Sequence, residues 1–492
     1  MEPSRAASPR GRRSGLTKVP TGIRGMDEIL HGGLPEGRTT VIAGSPGTGK
    51  SIFCLQFLCE SASNGIPGLL LSCEQPVEAL RADAASIGLD LSALERKGLL
   101  TLMSAEFPAD SEVIGDFRFD PLLQRILTLI EERGVRRIAI DELDLLLRLY
   151  GEPEAARREL FRIHRALRSR EATLVLTAKT FHGTAGAWWS PLVHFMAETA
   201  DCLLELSQRV EAQITTRRLR VLKYRGSGFI PNECPFVITG NGLSVIPVAT
   251  AGLGQGPMAR KVTSGYRWLD ALLGGGFSVG AEVLIAGEPG TGKTTLAATF
   301  ALAACERGEE VLYLSFEEPE HSLLRNLRRV GVDLRPALES GKLLFRAVVP
   351  ESVGVEQHLA ETAALTAEFQ PRHIVVDAVS AFLRMGSSQG AHDYLIRLGN
   401  ICRERRITAI FLSELTGELG ERSLSVAYLS SIADTVLVCR YEHSEEGYRR
   451  VLRVLRSRGS AHSTAAQAYE ITGRGLSPIG NQSPQSVAAA GH

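Results

Sequence analysis

Short runs of β-branched and aliphatic residues recur along the chain, alternating with longer stretches in which apolar positions return every three or four residues. In the first half such runs fall at 41–43, 69–73, 138–140 and 173–176. A short, wholly apolar run between turn residues predicts a strand buried on both faces, and each amphipathic stretch predicts the helix that covers it. Their alternation predicts βαβ units around a mostly parallel sheet flanked by helices, an α/β fold. Such sheets bind ligands beyond the carboxyl ends of their strands, so the residues that close each apolar run are where chemistry is expected.

The pattern is written twice. GIRGMDEILHGGLPEGRTTVIAGSPGTGKS, shortly after Lys18, returns as SGYRWLDALLGGGFSVGAEVLIAGEPGTGKTT shortly after Lys261. The interval between the loop lysines, Lys50 and Lys293, also separates Glu74 from Glu317, and that between Asp141 and Asp377 is only slightly shorter. A register kept over this length marks a duplicated domain. The expected organisation is a disordered basic arm at 1–14, a first domain at 15–247, a linker at 248–261, a second domain at 262–477 and a flexible tail at 478–492. The linker holds ATAGLGQG, and the tail is rich in Gln, Ser, Pro and Ala.

Each copy carries G-x-x-x-x-G-K-[ST], as Gly44-Ser-Pro-Gly47-Thr48-Gly49-Lys50-Ser51 and Gly287-Glu-Pro-Gly290-Thr291-Gly292-Lys293-Thr294, with Thr295 next. The glycines let consecutive N–H groups turn toward phosphates, and the helix that follows adds its partial positive charge. Lys50 and Lys293 would neutralise the β- and γ-phosphates of ATP, and the Ser51 and Thr294 hydroxyls would hold Mg²⁺. Asp141 after RIAI and Asp377 after HIVV end apolar runs in a carboxylate, which is costly there unless a cation needs it; the expected role is Walker B, toward Mg²⁺. A helix N-cap is the alternative use of such an aspartate. The preceding runs end in LSCEQP, with Glu74 and Gln75, and LSFEEP, with Glu317 and Glu318. In-line phosphoryl transfer needs a base for the attacking oxygen, and Glu74 and Glu317, with Glu318 beside it, are the candidates. Glu142, directly after Asp141, offers a second acid in the first copy.

Late in each copy, VLKYRG and VLRSRG place Lys223 with Arg225, and Arg456 with Arg458, on one side of a strand end. The domain already has its loop lysine, so these pairs are expected to reach the γ-phosphate on a neighbouring subunit of a ring; a solvated strand tip is the plainer alternative.

Composition narrows the field. Hydrophobic residues at 44% and charged residues at 22% of 492 suit a globular chain of two large domains. Lys plus Arg and Asp plus Glu both total 55, so overall charge gives no drive toward nucleic acid or an acidic membrane. Arg5, Arg10, Arg12 and Arg13 make only a short basic arm. The eight cysteines form no C-x-x-C pair, against a zinc site or disulfide framework. Without an apolar leader or a run of about 18 apolar residues, the chain is expected to be soluble and cytoplasmic.

Taken together, the paired HGGLPEGRTT/GSPGTGKS and GYRWLDALLGGGF/GEPGTGKTT segments, the Glu-Gln and Glu-Glu positions, and LKYRG with LRSRG resemble the KaiC ATPases of the RecA superfamily over nearly the whole chain. The resemblance implies two tandem RecA-like P-loop NTPase domains in a double-ring homohexamer. It implies ATP between subunits, slow hydrolysis in the first ring, and serine/threonine autokinase and autophosphatase activity in the second. The phosphorylated hydroxyls fall on Ser430 and Ser431, where the second is Ser instead of the usual Thr; the matching segment AETAD of the first copy has no hydroxyls at those positions. Glu317 would take the proton of the attacking serine, and Glu74 that of water. Gln75 and the short tail depart from the family pattern, and regulatory protein partners are expected on the resemblance alone. Two other classes use the same motifs: a RecA-like DNA-dependent ATPase, disfavoured by zero net charge, and a scaffold that binds ATP only to assemble, disfavoured by two retained glutamates.

Overall fold

The computed structural model describes residues 16–105, 119–183, 186–188, 190–211, 214–246, 259–385, 388–415, 433–444 and 447–480. Ser430, Ser431 and the basic arm lie outside the described residues. The chain divides into two compact units, Met1–Val248 and Ala249–His492.

In the first unit nine strands pair in the order Leu100–Ser104, Gly68–Ser72, Arg137–Asp141, Thr173–Lys179, Thr39–Gly44, Cys202–Glu211, Ile214–Tyr224, Cys234–Thr239, Gly242–Val245. The first six are parallel and the last four form an antiparallel meander, sharing Cys202–Glu211. The second unit repeats this order with Leu343–Ala347, Val311–Ser315, His373–Asp377, Thr408–Glu414, Glu282–Gly287, Thr435–Ser444, Gly447–Ser457, Gln467–Thr472 and Gly475–Pro478. The architecture is thus the expected pair of helix-flanked, mostly parallel sheets.

Alternate residues of the same strands explain why the apolar runs are continuous. Ile42, Leu70, Ala139 and Val175 pack on one face with Phe53 and Phe57 of the helix Lys50–Ser63. Val41, Leu69, Leu71, Ile138 and Ile140 point to the other face, against Ile126, Leu160 and Ile163. Neither face is left to water, so no polar alternation survives in the sequence.

The same register brings the strand ends together. Ser72 lies opposite Asp141, and Gly44 opposite Lys179; in the second unit Ser315 lies opposite Asp377, and Gly287 opposite Glu414. The loop helices Lys50–Ser63 and Lys293–Glu306 begin at Gly49 and Gly292, with φ of 90° and 91°. A side chain is strained at such angles, and a Cβ at Gly49 would stand 2.7 Å from Ile238 Cδ1.

Phe57 is fully buried between the loop helix and the sheet. Phe57→Ala is expected to destabilise the first unit by about 3–5 kcal/mol, read as a lower denaturant midpoint.

Candidate functional site

In the first unit the two polar ends of the motif meet: Ser51 Oγ donates to Asp141 Oδ2 at 2.6 Å, across 90 residues of sequence. The other oxygen, Asp141 Oδ1, accepts from Thr177 Oγ1 at 2.5 Å, and the same hydroxyl accepts from the Glu142 N–H at 2.7 Å. Lys50 is buried and curls back to its own loop, donating to the Ser45 carbonyl at 3.2 Å. Its Nζ is 3.7 Å from Glu142 Oε1. Burial pulls the Lys50 ammonium below its ordinary value, against the opposing pull of Glu142 and Asp141.

Glu142 has φ of 62°, a left-handed conformation that directs the chain from the strand Arg137–Asp141 into the helix Leu143–Arg148. The residue is 6% exposed, and burial pushes its carboxyl up to about 7, reinforced by Glu74 beside it and opposed by Lys179 and Lys50. Lys179 Nζ lies 2.7 Å from Glu142 Oε2 and 2.6 Å from Glu74 Oε1. Hydrogen bonds with Glu142 and Lys179 hold Glu74, which is half exposed, below the usual carboxylate range.

The second unit reaches the same plan with other atoms. Asp377 is buried, and Tyr313 OH donates to its Oδ2 at 2.8 Å; Thr294 also hydrogen-bonds its carboxylate. Burial pushes Asp377 up to about 6, with Tyr313 and Thr294 pulling it back. Lys293 donates to the carbonyls of Gly287 and Glu288 at 2.9 and 3.0 Å. Burial lowers it as it does Lys50, and the charges of Asp377 and Glu317 both reach it. The loop has two clamps that sequence reading did not find: Tyr469 OH donates to the Thr291 carbonyl at 2.6 Å, and Arg450 Nε to that of Gly290 at 3.1 Å. Across the sheet from Arg450 stands Tyr469, whereas Phe236, without a hydroxyl, faces Arg217 at the equivalent place in the first unit.

Other expected residues are placed as follows. Gly44, Gly47, Thr48 and Gly49, like Gly287, Gly290, Thr291 and Gly292, line the turn into the helix, with Thr48 and Thr291 Oγ1 each 2.7 Å from the carbonyl three residues back. Thr295 is buried in the helix behind Thr294. Glu318 turns toward the following helix, where Oε2 accepts from Asn326 Nδ2 at 3.0 Å. Gln75 makes the corresponding contact with Asp83 at 3.5 Å.

The late basic pairs sit toward the opposite end of the sheet from their own loop. Arg225 N–H donates to the Asp201 carbonyl and Asp201 N–H to that of Thr39, at the start of the strand that ends in Gly44. That separation is on the order of 15 Å along the strand. Lys223 donates to the Ala197 and Glu198 carbonyls at 3.0 and 3.2 Å, capping the helix Pro191–Thr199, where a cation also suits the helix dipole. Arg456 bonds the Ala433 carbonyl, and Arg458 lies 3.8 Å from Asp434.

Comparison with known proteins gives one family for both units. The family model described as "ATPase: KaiC" matches residues 19–250 and again 262–482. The circadian clock protein KaiC2 of Synechocystis sp. is 34% identical over 470 residues, covering 94% of this chain and 82% of that protein. The circadian clock oscillator proteins KaiC of Thermosynechococcus vestitus and Synechococcus elongatus are each 32% identical, over 96% and 94% of this chain and 91% and 88% of theirs. Among the described residues no helix is long and apolar enough to cross a membrane.

Because Glu142 titrates higher when folded than its ordinary 4.5, the folded chain keeps a proton that the unfolded chain releases. Its contribution to stability is therefore present at low pH and lost as pH rises from about 4.5 to 7. Glu142→Gln is expected to flatten that part of the stability–pH curve by on the order of 2 kcal/mol, measured by denaturant unfolding of nucleotide- and metal-free protein at pH 4.5 and 7.5.

Proposed function

The chain belongs to the KaiC ATPase family, and from that premise we propose an ATP-driven switch whose first unit hydrolyses ATP and whose second unit transfers the γ-phosphoryl group to its own Ser430 or Ser431. The observation that carries the reading is the juxtaposition, in both units, of a buried loop lysine, a hydroxyl and a buried aspartate: Lys50, Ser51 and Asp141, then Lys293, Thr294 and Asp377. A family ATPase binds nucleotide, and these residues fit a triphosphate at the loop.

Each hydroxyl–carboxylate pair is a set of hard oxygen donors suited to Mg²⁺. Among the described residues no cluster of three or more His, Cys, Asp or Glu is placed to hold a metal, so phosphate oxygens and water would complete the shell. Ser51 with Asp141, and Thr294 with Asp377, would hold the ion, which when bound spreads the charge of the phosphates.

In the first unit Glu74 accepts a proton from water as the water oxygen bonds the γ-phosphorus and the bond to the bridging oxygen of ADP breaks. In the second unit Glu317 accepts the proton of the Ser430 or Ser431 hydroxyl, whose oxygen takes the phosphoryl group while ADP leaves. Return of the phosphoryl group from the phosphoserine to ADP, followed by hydrolysis of the ATP so formed, would give the autophosphatase. Glu318 is turned toward Asn326 and is not the base.

The basic pairs, Lys223 with Arg225 and Arg456 with Arg458, lie too far from their own loops to serve them, which supports action in trans across a homohexameric double ring with ATP between subunits. The names of the relatives place them in circadian clocks; a clock-type signalling role with regulatory protein partners is the corresponding proposal for this chain, in the cytoplasm.

Incubation of the purified protein with γ-labelled ATP and Mg²⁺, followed by phosphopeptide mapping, tests this. Label is expected on Ser430 or Ser431 and is expected to be lost in Glu317→Gln and in the Ser430→Ala/Ser431→Ala double variant. Glu74→Gln is expected to slow first-unit ADP release about 100-fold. Steady ADP release without protein-bound label removes the kinase and leaves an ATPase.

A further inference from the structure

Lys179 was absent from the motifs, yet it stands where the first site is most crowded with charge. It closes the strand Thr173–Lys179, in register with Gly44 at the mouth of the phosphate loop. The side chain is only 15% exposed, and its backbone N–H donates to Asp144 Oδ1, a fully buried carboxylate, at 3.2 Å. Its ammonium meets two carboxylates, Glu74 Oε1 at 2.6 Å and Glu142 Oε2 at 2.7 Å. The other oxygen of Glu142 faces Lys50 Nζ at 3.7 Å. Lys50, Glu142, Lys179 and Glu74, amines alternating with carboxyls, thus run from the phosphate loop to the glutamate at the site's rim.

The two carboxyls of this series differ in how firmly they are held. Glu142 is buried and fixed by its backbone turn, its N–H tied to Thr177. Glu74 is half exposed and follows the last residue of the neighbouring strand by only two positions. A glutamate so exposed loses rotamer entropy when it is held in one place, and its contacts with Glu142 and Lys179 oppose that freedom. We propose that Lys179 is a positioning residue of the first site: braced by Glu142, it holds the Glu74 carboxylate beside the phosphate loop in the orientation that water activation needs.

The second unit places other residues at these positions. Glu414 occupies the register position of Lys179, opposite Gly287, and Ala378 follows Asp377 where Glu142 follows Asp141. There Ser380 Oγ accepts from the Glu414 N–H at 3.1 Å, as Asp144 does from that of Lys179, so the backbone is kept while the charges are replaced. The proposal rests on Glu74 as the base in the first unit.

The test uses the full chain carrying Glu317→Gln, so that turnover reports the first site, and compares Lys179→Met, Lys179→Arg, Glu142→Gln and Glu74→Gln. Lys179→Met is expected to lower kcat by up to about 10²-fold with KM for ATP within about twofold. Lys179→Arg is expected to restore most of the loss, and Glu142→Gln to lower kcat by a smaller factor. Binding of a fluorescent ATP analogue to the second unit, retained in every variant, checks that the chain is folded; should Lys179→Met fail that check, Lys179→Gln and Glu142→Gln carry the comparison. Unchanged kcat in folded variants that lose the ammonium overturns the proposal, as does a raised KM at unchanged kcat, which would make Lys179 a phosphate contact. If Glu74→Gln itself turns over normally, the reading of Glu74 fails first, and the two failures are told apart.

Discussion

A carboxylate closed into the carboxyl end of a strand is the constraint on which both sites depend. Asp141 and Asp377 are each about 4% exposed, at the carboxyl ends of inner strands in sheets whose faces are covered by helices. An ionised group in that position costs several kcal/mol unless hydrogen bonds or a cation compensate it. The fold supplies a hydroxyl from the loop helix in each case, Ser51 or Thr294, and thereby ties the phosphate loop to the sheet centre. The remaining compensation is local history: Thr177 from one neighbouring strand in the first unit, Tyr313 from the opposite neighbour in the second.

That freedom of compensation is how a duplicated scaffold came to hold two different electrostatic environments. The first unit gathers Glu142 and Lys179 around its aspartate and couples them to Glu74. The second keeps the corner apolar at Ala378 and instead clamps its loop from the meander by Tyr469 and Arg450. Backbone order and strand register are the same in both; the charges beside the phosphate loop are not.

The sheet, its order of burial and the phosphate loops were legible in the sequence because they depend on short patterns: apolar runs, glycine spacing and a lysine followed by a hydroxyl. Asp141, Asp377, Glu74 and Glu317 were legible because each interrupts an apolar run at its end and returns in the second copy. Thr177, Tyr313 and Lys179 were not. They lie within or at the end of runs that read as core, and their partners are 36, 64 and 105 residues away in sequence, so only strand order brings them into contact. Lys223 and Arg225 were visible as an alternating basic pair, but their hold on the last carbonyls of the helix Pro191–Thr199 depends on a packing that no local pattern encodes. Glu318 stands beside Glu317 in sequence, and the structure separates them: Glu318 turns to Asn326 on the next helix, while the charge of Glu317 reaches Lys293.

On this account each unit holds its own nucleotide through its own loop. Equilibrium binding of labelled ATP, counted per chain in the wild type and in Lys50→Ala and Lys293→Ala, tests it most directly. Two nucleotides per chain in the wild type and about one in each variant is the outcome that two phosphate loops of this form predict. One nucleotide in the wild type, or a single substitution that empties both sites while both units stay folded, would contradict it.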